Sequence, residues 1–191
     1  MLATARIQKE LKEIGEDETS GISVELVDGS LCHLKGSLQG PKDTPYEGGV
    51  FYVDIKLNDM YPFKPPEMRF ITKVWHPNVS SVTGVICLDI LKDDWSPAFT
   101  LKVAMLSLQA LLSSPEPSDP QDAVVAKMYM SARAQFDQTA KQWTDQYAKG
   151  APNDEAANLV EMGFDVNKVM SALAKTDGNQ ERALEILLQG S

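Results

Sequence analysis

Cysteine and histidine are both scarce in this chain of 191 residues, with two of each. A structural zinc site takes four ligands, mostly Cys and His in short-spaced pairs. Cys32, His33, His76 and Cys87 form no such set and no Cys-x-x-Cys occurs, which argues against a metal centre or a dithiol redox motif. Positive charge is also in short supply. Against 27 Asp and Glu stand 18 Lys and Arg, a formal net charge of −9. That balance argues against nucleic acid or an anionic membrane as the main partner and favours a partner with a basic face. No apolar run approaches the roughly 20 residues of a membrane-spanning helix, and the first residues, Met1 to Glu10, lack the long apolar stretch of a secretion signal. The expectation is a monomeric, soluble protein of a reducing compartment, the cytosol first and the nucleus second.

Hydrophobic residues make up 43% of the chain, enough for a sizeable core, and the length suits one domain of about 150 residues with a small appendage. Ile7, Leu11 and Ile14 recur at helical spacing within Ala3 to Ile14, with Arg6, Lys9, Glu10, Lys12 and Glu13 on the other face. A strand meander follows. Ile22, Val24 and Leu26 alternate with polar residues, and Asp28-Gly29 marks a hairpin turn. Cys32, Leu34, Gly36 and Leu38 share the next apolar face, which makes Cys32 a small core residue and puts His33 outside. Val50 to Leu57 and Met68 to Ile71 read as two further strands. Between them Tyr61 to Pro66 holds three prolines, a stiff loop in which Phe63 is either a core plug or an exposed contact. Thr100 is the expected N-cap of Leu101 to Ser113, an almost wholly apolar helix that should be the buried spine. Helices at Ala123 to Met130 and Arg133 to Tyr147 complete the first domain, residues 1–149, and a Gly/Pro linker at 150–153 leads to a tail, 154–191. The tail carries three short helical patterns around Met162-Gly163-Phe164 and Asp177-Gly178-Asn179.

The chemistry gathers in the stretch from Val74 to Leu91. Trp75, His76, Pro77 and Asn78 form a compact polar knot, a turn-forming run (Ser80, Ser81, Thr83, Gly84) follows, and Cys87 lies among Val85, Ile86, Leu88 and Asp89. Cysteine reacts as the thiolate, whose conjugate thiol has a pKa of about 8.5 in a free cysteine. Aliphatic neighbours and Asp89, the nearest charge in sequence, favour the neutral thiol. Cys87, His76 and Asn78 have the residue types of a cysteine protease, yet His76 directly precedes Pro77, where a ring braces a loop more readily than it reaches a nucleophile. A thiol without strong activation suits exchange with an already activated acyl group. The bland alternative is an inert cysteine in a small core strand.

His76-Pro77-Asn78, the spacing to an Ile-Cys-Leu-Asp sequence at Cys87, and Trp95-Ser-Pro97-Ala98 together resemble the active-site signature of ubiquitin-conjugating enzymes (E2). Met162-Gly163-Phe164 with Leu187-Leu188 resembles a ubiquitin-associated (UBA) domain, a combination similar to the 25-kilodalton, tail-bearing class that builds degradation-type polyubiquitin chains. The resemblance implies an α+β fold: an N-terminal helix, a four-stranded antiparallel meander and three further helices, plus a three-helix UBA bundle. It implies that Cys87 carries ubiquitin as a thioester, with His76 and Pro77 shaping the loop. It also implies that Asn78 supports the loop and the tetrahedral oxyanion, and that Asp119 positions the incoming lysine. By residue type alone, Asp119 could instead be a helix N-cap ahead of Pro120 and Gln121. Implied partners are ubiquitin and protein substrates, the activating enzyme (E1) and RING-type ligases (E3). Arg6, Lys9, Phe63, Pro97 and Ala98 match the E1- and ligase-facing positions, and Met162, Gly163, Phe164 and Leu188 the ubiquitin-binding patch. No tightly bound cofactor is implied, since ATP is consumed by the upstream activating enzyme. Asn58, where many relatives have proline, should loosen the loop before Tyr61, and Ser118 should weaken the acidic field before Asp119. Two other functions fit the fold: a catalytically silent ubiquitin-binding adaptor, and conjugation of another ubiquitin-like modifier.

Overall fold

The computed structural model describes residues 3–149, positions 159, 162, 164, 168, 169, 172 and 176, and residues 180–189. The chain divides into two compact units, Met1–Lys149 and Gly150–Ser191.

In the first unit, helix α1 (Thr4–Gly15) buries Ile7, Glu10 and Ile14, a spacing of three and four that lines one face. The strands β1 (Ile22–Val27), β2 (Ser30–Gln39), β3 (Val50–Lys56) and β4 (Glu67–Phe70) form one antiparallel sheet in sequence order. Asp28 and Gly29, both at positive φ, close the β1–β2 hairpin as a tight turn between Val27 and Ser30. The alternation read from the sequence is the alternation of burial: Leu34, Gly36 and Leu38 in β2 and Phe51, Val53 and Ile55 in β3 face the core. Cys32 departs from it. The thiol is exposed: Leu57 N–H still donates to the Cys32 carbonyl, but the β1–β2 register shifts between Leu26 and Val27, and Cys32 lies in the stretch that the shift leaves without a β1 partner.

Helix α2 (Leu101–Ser113) is the expected spine, with Leu101, Ala104, Met105, Leu108, Leu111 and Leu112 buried and Thr100 Oγ1 capping Val103 N–H. It lies directly on the sheet at Gly36, where a Cβ would come within 2.7 Å of Met105 Cε and displace the end of that side chain. Truncating a buried leucine such as Leu108 to Ala would cost about 2–5 kcal/mol. Helices α3 (Ala123–Ser131) and α4 (Arg133–Tyr147) close the unit, α4 burying Phe136, Ala140 and Thr144 while Trp143 packs at a tilt against Trp75, ring centroids 5.0 Å apart.

In the second unit, Leu159, Val169, Ala172, Ala183 and Leu187 form a small core with Phe164 and Leu184 packed on it. Its helix α5 spans Gln180–Gln189, and Leu159, Lys168, Val169 and Ala172 have helical backbone. The linker 150–153 and Gly163 lie outside the described residues.

Candidate active site

The strand-like segment before Cys87 folds back on the segment after the His-Pro-Asn turn. Val79 bridges Ile86, Ser80 N–H donates to the Val85 carbonyl, and Cys87 N–H donates to the Asn78 carbonyl at 2.8 Å. The reversal between them turns at Gly84 (φ 74°), where a Cβ would fall 2.0 Å from the Phe70 carbonyl oxygen. Only glycine fits both the backbone and the space. The result is a half-buried Cys87 at the mouth of a short loop rather than inside a sheet.

The His76-Pro77-Asn78 turn is a brace. His76 is fully buried, its Nε2 lies 2.8 Å from the Leu111 carbonyl, and its Nδ1 accepts from Asn78 N–H at 3.0 Å. Those partners define a neutral ring with the proton on Nε2. Burial, opposed only by the Leu111 carbonyl, pulls its pKa down to about 4. With both nitrogens engaged, the ring has no lone pair to offer Cys87, which removes the protease reading. The Pro77 carbonyl accepts from Gln121 and Asp122 N–H, both at 2.9 Å, tying the turn to the start of α3.

Asn78, 2% exposed, joins this turn to the loop that carries Asp119. Its Nδ2 donates to the Glu116 and Asp119 carbonyls at 2.8 and 2.9 Å, and its Oδ1 accepts from Glu116 N–H at 2.8 Å. Both amide hydrogens are therefore committed to the loop, and oxyanion support would require releasing one of them. Asp119 is exposed, and its Oδ2 accepts from Cys87 Sγ at 3.5 Å. It is not a cap. The N-cap of α3 is Asp122, which accepts from Val124 and Val125 N–H and from the Ser81 hydroxyl. Burial pushes the Asp122 carboxyl up, but hydrogen bonds from Ser81, Val125 and Val124 outweigh it and hold it below the ordinary carboxylate range. Ser118, read as a missing acid, donates its hydroxyl to the Glu116 carboxylate, so an acid is still present on this loop.

A second cluster joins three elements at the far end of α2. Phe63 is 73% exposed, which makes it a surface aromatic rather than a core plug. Pro97 and Ala98 are exposed as well. Trp95 Nε1 donates to the Pro62 carbonyl at 2.8 Å, fastening the two loops together. Asn58 does not loosen this region, since its Oδ1 accepts from Met60 N–H at 2.8 Å and its carbonyl accepts from Tyr61 N–H. Lys9 is exposed and pairs with Glu13, whereas Arg6 is half-buried and donates to Glu10 and to the Phe99 carbonyl, both at 2.7 Å. Glu10 corrects the sequence reading. It is 4% exposed, not on the solvent face, and its Oε2 accepts from Tyr61 O–H at 2.7 Å and Leu101 N–H at 2.8 Å. One carboxylate thus fixes α1, the Phe63 loop and the first turn of α2. In the second unit, Met162 and Leu188 are 60% and 62% exposed, while Phe164 is partly buried in the small core.

Set beside known proteins, residues 6–144 match the family described as "Ubiquitin-conjugating enzyme". The chain belongs to the ubiquitin-conjugating enzyme family. Residues 152–187 match "UBA/TS-N domain", so the E2 core is followed by a UBA domain. Among curated relatives, "Ubiquitin-conjugating enzyme E2 27" of Arabidopsis thaliana is 53% identical over 189 residues, with 98% of each chain covered. "Ubiquitin-conjugating enzyme E2 K" of Homo sapiens is 50% identical over 196 residues, again with 98% of each covered. Among solved structures, a ubiquitin-conjugating E2 domain of Toxoplasma gondii is 52% identical with a TM-score of 0.73, covering 76% of this chain and 99% of that one. A putative ubiquitin-conjugating enzyme of Plasmodium yoelii is 50% identical with a TM-score of 0.75, covering 78% and 96%. The expected α+β E2 fold with a C-terminal UBA domain is the fold found.

One group in this E2 site escaped the sequence reading. Lys92 Nζ lies 3.3 Å from Cys87 Sγ. A charge five residues beyond the thiol is not flagged by any motif, and it reaches the sulfur only because Asp89–Leu91 folds as a single 3-10 turn that brings Lys92 back. The nearest charge in sequence, Asp89, is therefore a poor guide to the field at the sulfur.

Proposed function

We propose that this E2 accepts ubiquitin from the activating enzyme as a thioester on Cys87, passes it to lysine amines and builds polyubiquitin chains. The observation that carries the reading is an accessible thiol, with His76 committed elsewhere, beside a carboxylate 3.5 Å away on a loop pinned by Asn78. Thioester exchange needs no general base at the sulfur, because one thioester replaces another at little net cost. Transfer to lysine needs more. A lysine with a pKa of about 10.4 is less than about a thousandth neutral at pH 7. Asp119 orients the amine as it approaches, while burial under the bound ubiquitin lowers its pKa.

The Phe63, Pro97 and Ala98 surface, with Arg6 and Lys9, takes the activating enzyme and RING-type ligases in turn. Met162, Gly163, Phe164 and Leu188 of the UBA domain hold a ubiquitin of the growing chain, raising its concentration near Cys87. ATP is spent by the activating enzyme, and the E2 itself works without a bound cofactor, in the cytoplasm and also in the nucleus. Incubation with activating enzyme, ATP and ubiquitin tests this. The intact mass should rise by one ubiquitin less water, and a thiol should reverse it. A chain that gains no such mass is not a carrier of ubiquitin.

A further inference from the structure

We infer that Lys92 is a further catalytic residue of the Cys87 site, an ammonium that stabilises negative charge on the sulfur when the thiolate attacks and again when it leaves. The inference rests on the thioester reading of Cys87. It starts from the arrangement around the sulfur: Lys92 Nζ donates to Sγ at 3.3 Å, and Asp119 Oδ2 lies 3.5 Å from it. Among the described residues, no hydrogen bond to Cys87 Sγ from another cation or from a histidine is present, so Lys92 is the positive charge the reacting atom meets. Asp119 alone would repel a thiolate. The pair lets the sulfur carry charge beside a carboxylate kept there for the incoming amine.

In loading, the Cys87 thiolate attacks the carbonyl carbon of the ubiquitin thioester on the activating enzyme. A carbon–sulfur bond forms to Cys87, the old one breaks, and its electron pair leaves on the activating enzyme's sulfur. In discharge, the lysine nitrogen attacks the Cys87 thioester, a carbon–nitrogen bond forms, and the carbon–sulfur pair leaves on Cys87 Sγ while the amine's proton passes to solvent. Lys92 keeps its own proton throughout. It acts as a hydrogen-bond donor and fixed charge at Sγ, as cations beside reactive cysteines do. The hydrogen bond to Cys87 and the charge interaction with it are the main causes that hold the Lys92 ammonium above its ordinary range.

Full-length Lys92→Met and Lys92→Arg proteins test this. Both lack a primary amine, so any difference between them reports the cation and not the loss of an amine near the thioester. In a Cys32→Ser background iodoacetamide reads Cys87 alone, because the chain has only two cysteines. At pH 7 the Met protein should be alkylated, and loaded by limiting activating enzyme, about two- to fivefold more slowly, the span of one solvent-screened ion contact. The Arg protein should recover most of both rates. If Met matches wild type in both assays, or if Arg fails to restore what Met loses, Lys92 has no such role. Should wild-type protein itself never load, the thioester reading falls, and the alkylation ratio still decides the charge on Cys87.

Discussion

Replacing Asn78 with alanine separates a brace from an oxyanion donor. The change deletes three hydrogen bonds between a 2% exposed amide and the loop at Glu116–Asp119. At a net 0.5–1.5 kcal/mol each, with water able to reach part of the exposed loop, the loss should be about 2–4 kcal/mol. For a chain of this size that lowers the melting temperature by roughly 5–15 °C. Because Asp119 rides on the same loop, single-turnover discharge of the loaded protein to free lysine should slow by about ten- to a thousandfold while loading stays intact. The decisive arm is a double-mutant cycle with Asp119→Ala, which leaves the brace in place. If Asn78 works through the position of Asp119, the two losses do not multiply. Asn78→Ala protein that melts like wild type, discharges slowly and multiplies with Asp119→Ala would refute the brace and put the amide at the reacting carbonyl.

Glu10→Ala strands Arg6, Tyr61 O–H and Leu101 N–H around an emptied buried site, and should cost about 3–5 kcal/mol in chemical denaturation. Glu10→Gln should cost less, and ligase-stimulated discharge should suffer more than unstimulated discharge in both. His76 sets a pH dependence of stability. Its folded pKa of about 4 lies below the ordinary 6.5, so between those values the unfolded ring takes up a proton that the folded ring refuses. Stability should therefore be full above about pH 6.5 and fall by up to about 3 kcal/mol as pH drops towards 4, a slope that His76→Gln flattens in denaturant titrations at stepped pH. In the tail, Met162→Ala and Leu188→Ala remove exposed side chains. An NMR titration should show ubiquitin binding to wild type with a Kd of ~10⁻⁴ M and much weaker binding to either variant, with loading unchanged. A folded tail that does not respond to millimolar ubiquitin would leave it a structural appendage.

What was legible in the sequence was local. Strand alternation, the apolar run of α2 and the Thr100 cap depend on neighbours within a few positions; the run and the cap lie where the pattern placed them, and the alternation holds from Leu34 to Leu38 and from Phe51 to Ile55. Cys87 stood out because turn-forming residues and a His-Pro-Asn knot flank it. What stayed hidden depends on tertiary approach. Glu10 looks like one more charge on an amphipathic helix, and nothing nearby announces that Tyr61 and Leu101 converge on it from 51 and 91 residues away. Cys32 obeys the alternation of β2 yet is exposed, in the stretch where the β1–β2 register shifts. Asp119 and Asp122 are both plausible caps by residue type, and the choice follows from the Pro77 carbonyl gripping Gln121 and Asp122. Lys92 is near in sequence but reaches the sulfur only through the turn after Cys87.

The central claim is that Cys87, and not Cys32, carries ubiquitin. Cys87→Ser, Cys32→Ser and wild-type protein are each mixed with activating enzyme, ATP and ubiquitin and resolved with and without reducing agent. Wild type and Cys32→Ser should form an adduct that the reductant removes, while Cys87→Ser should form a slower, ester-linked adduct that survives it. A normal, reductant-sensitive adduct on Cys87→Ser, with none on Cys32→Ser, would contradict the account.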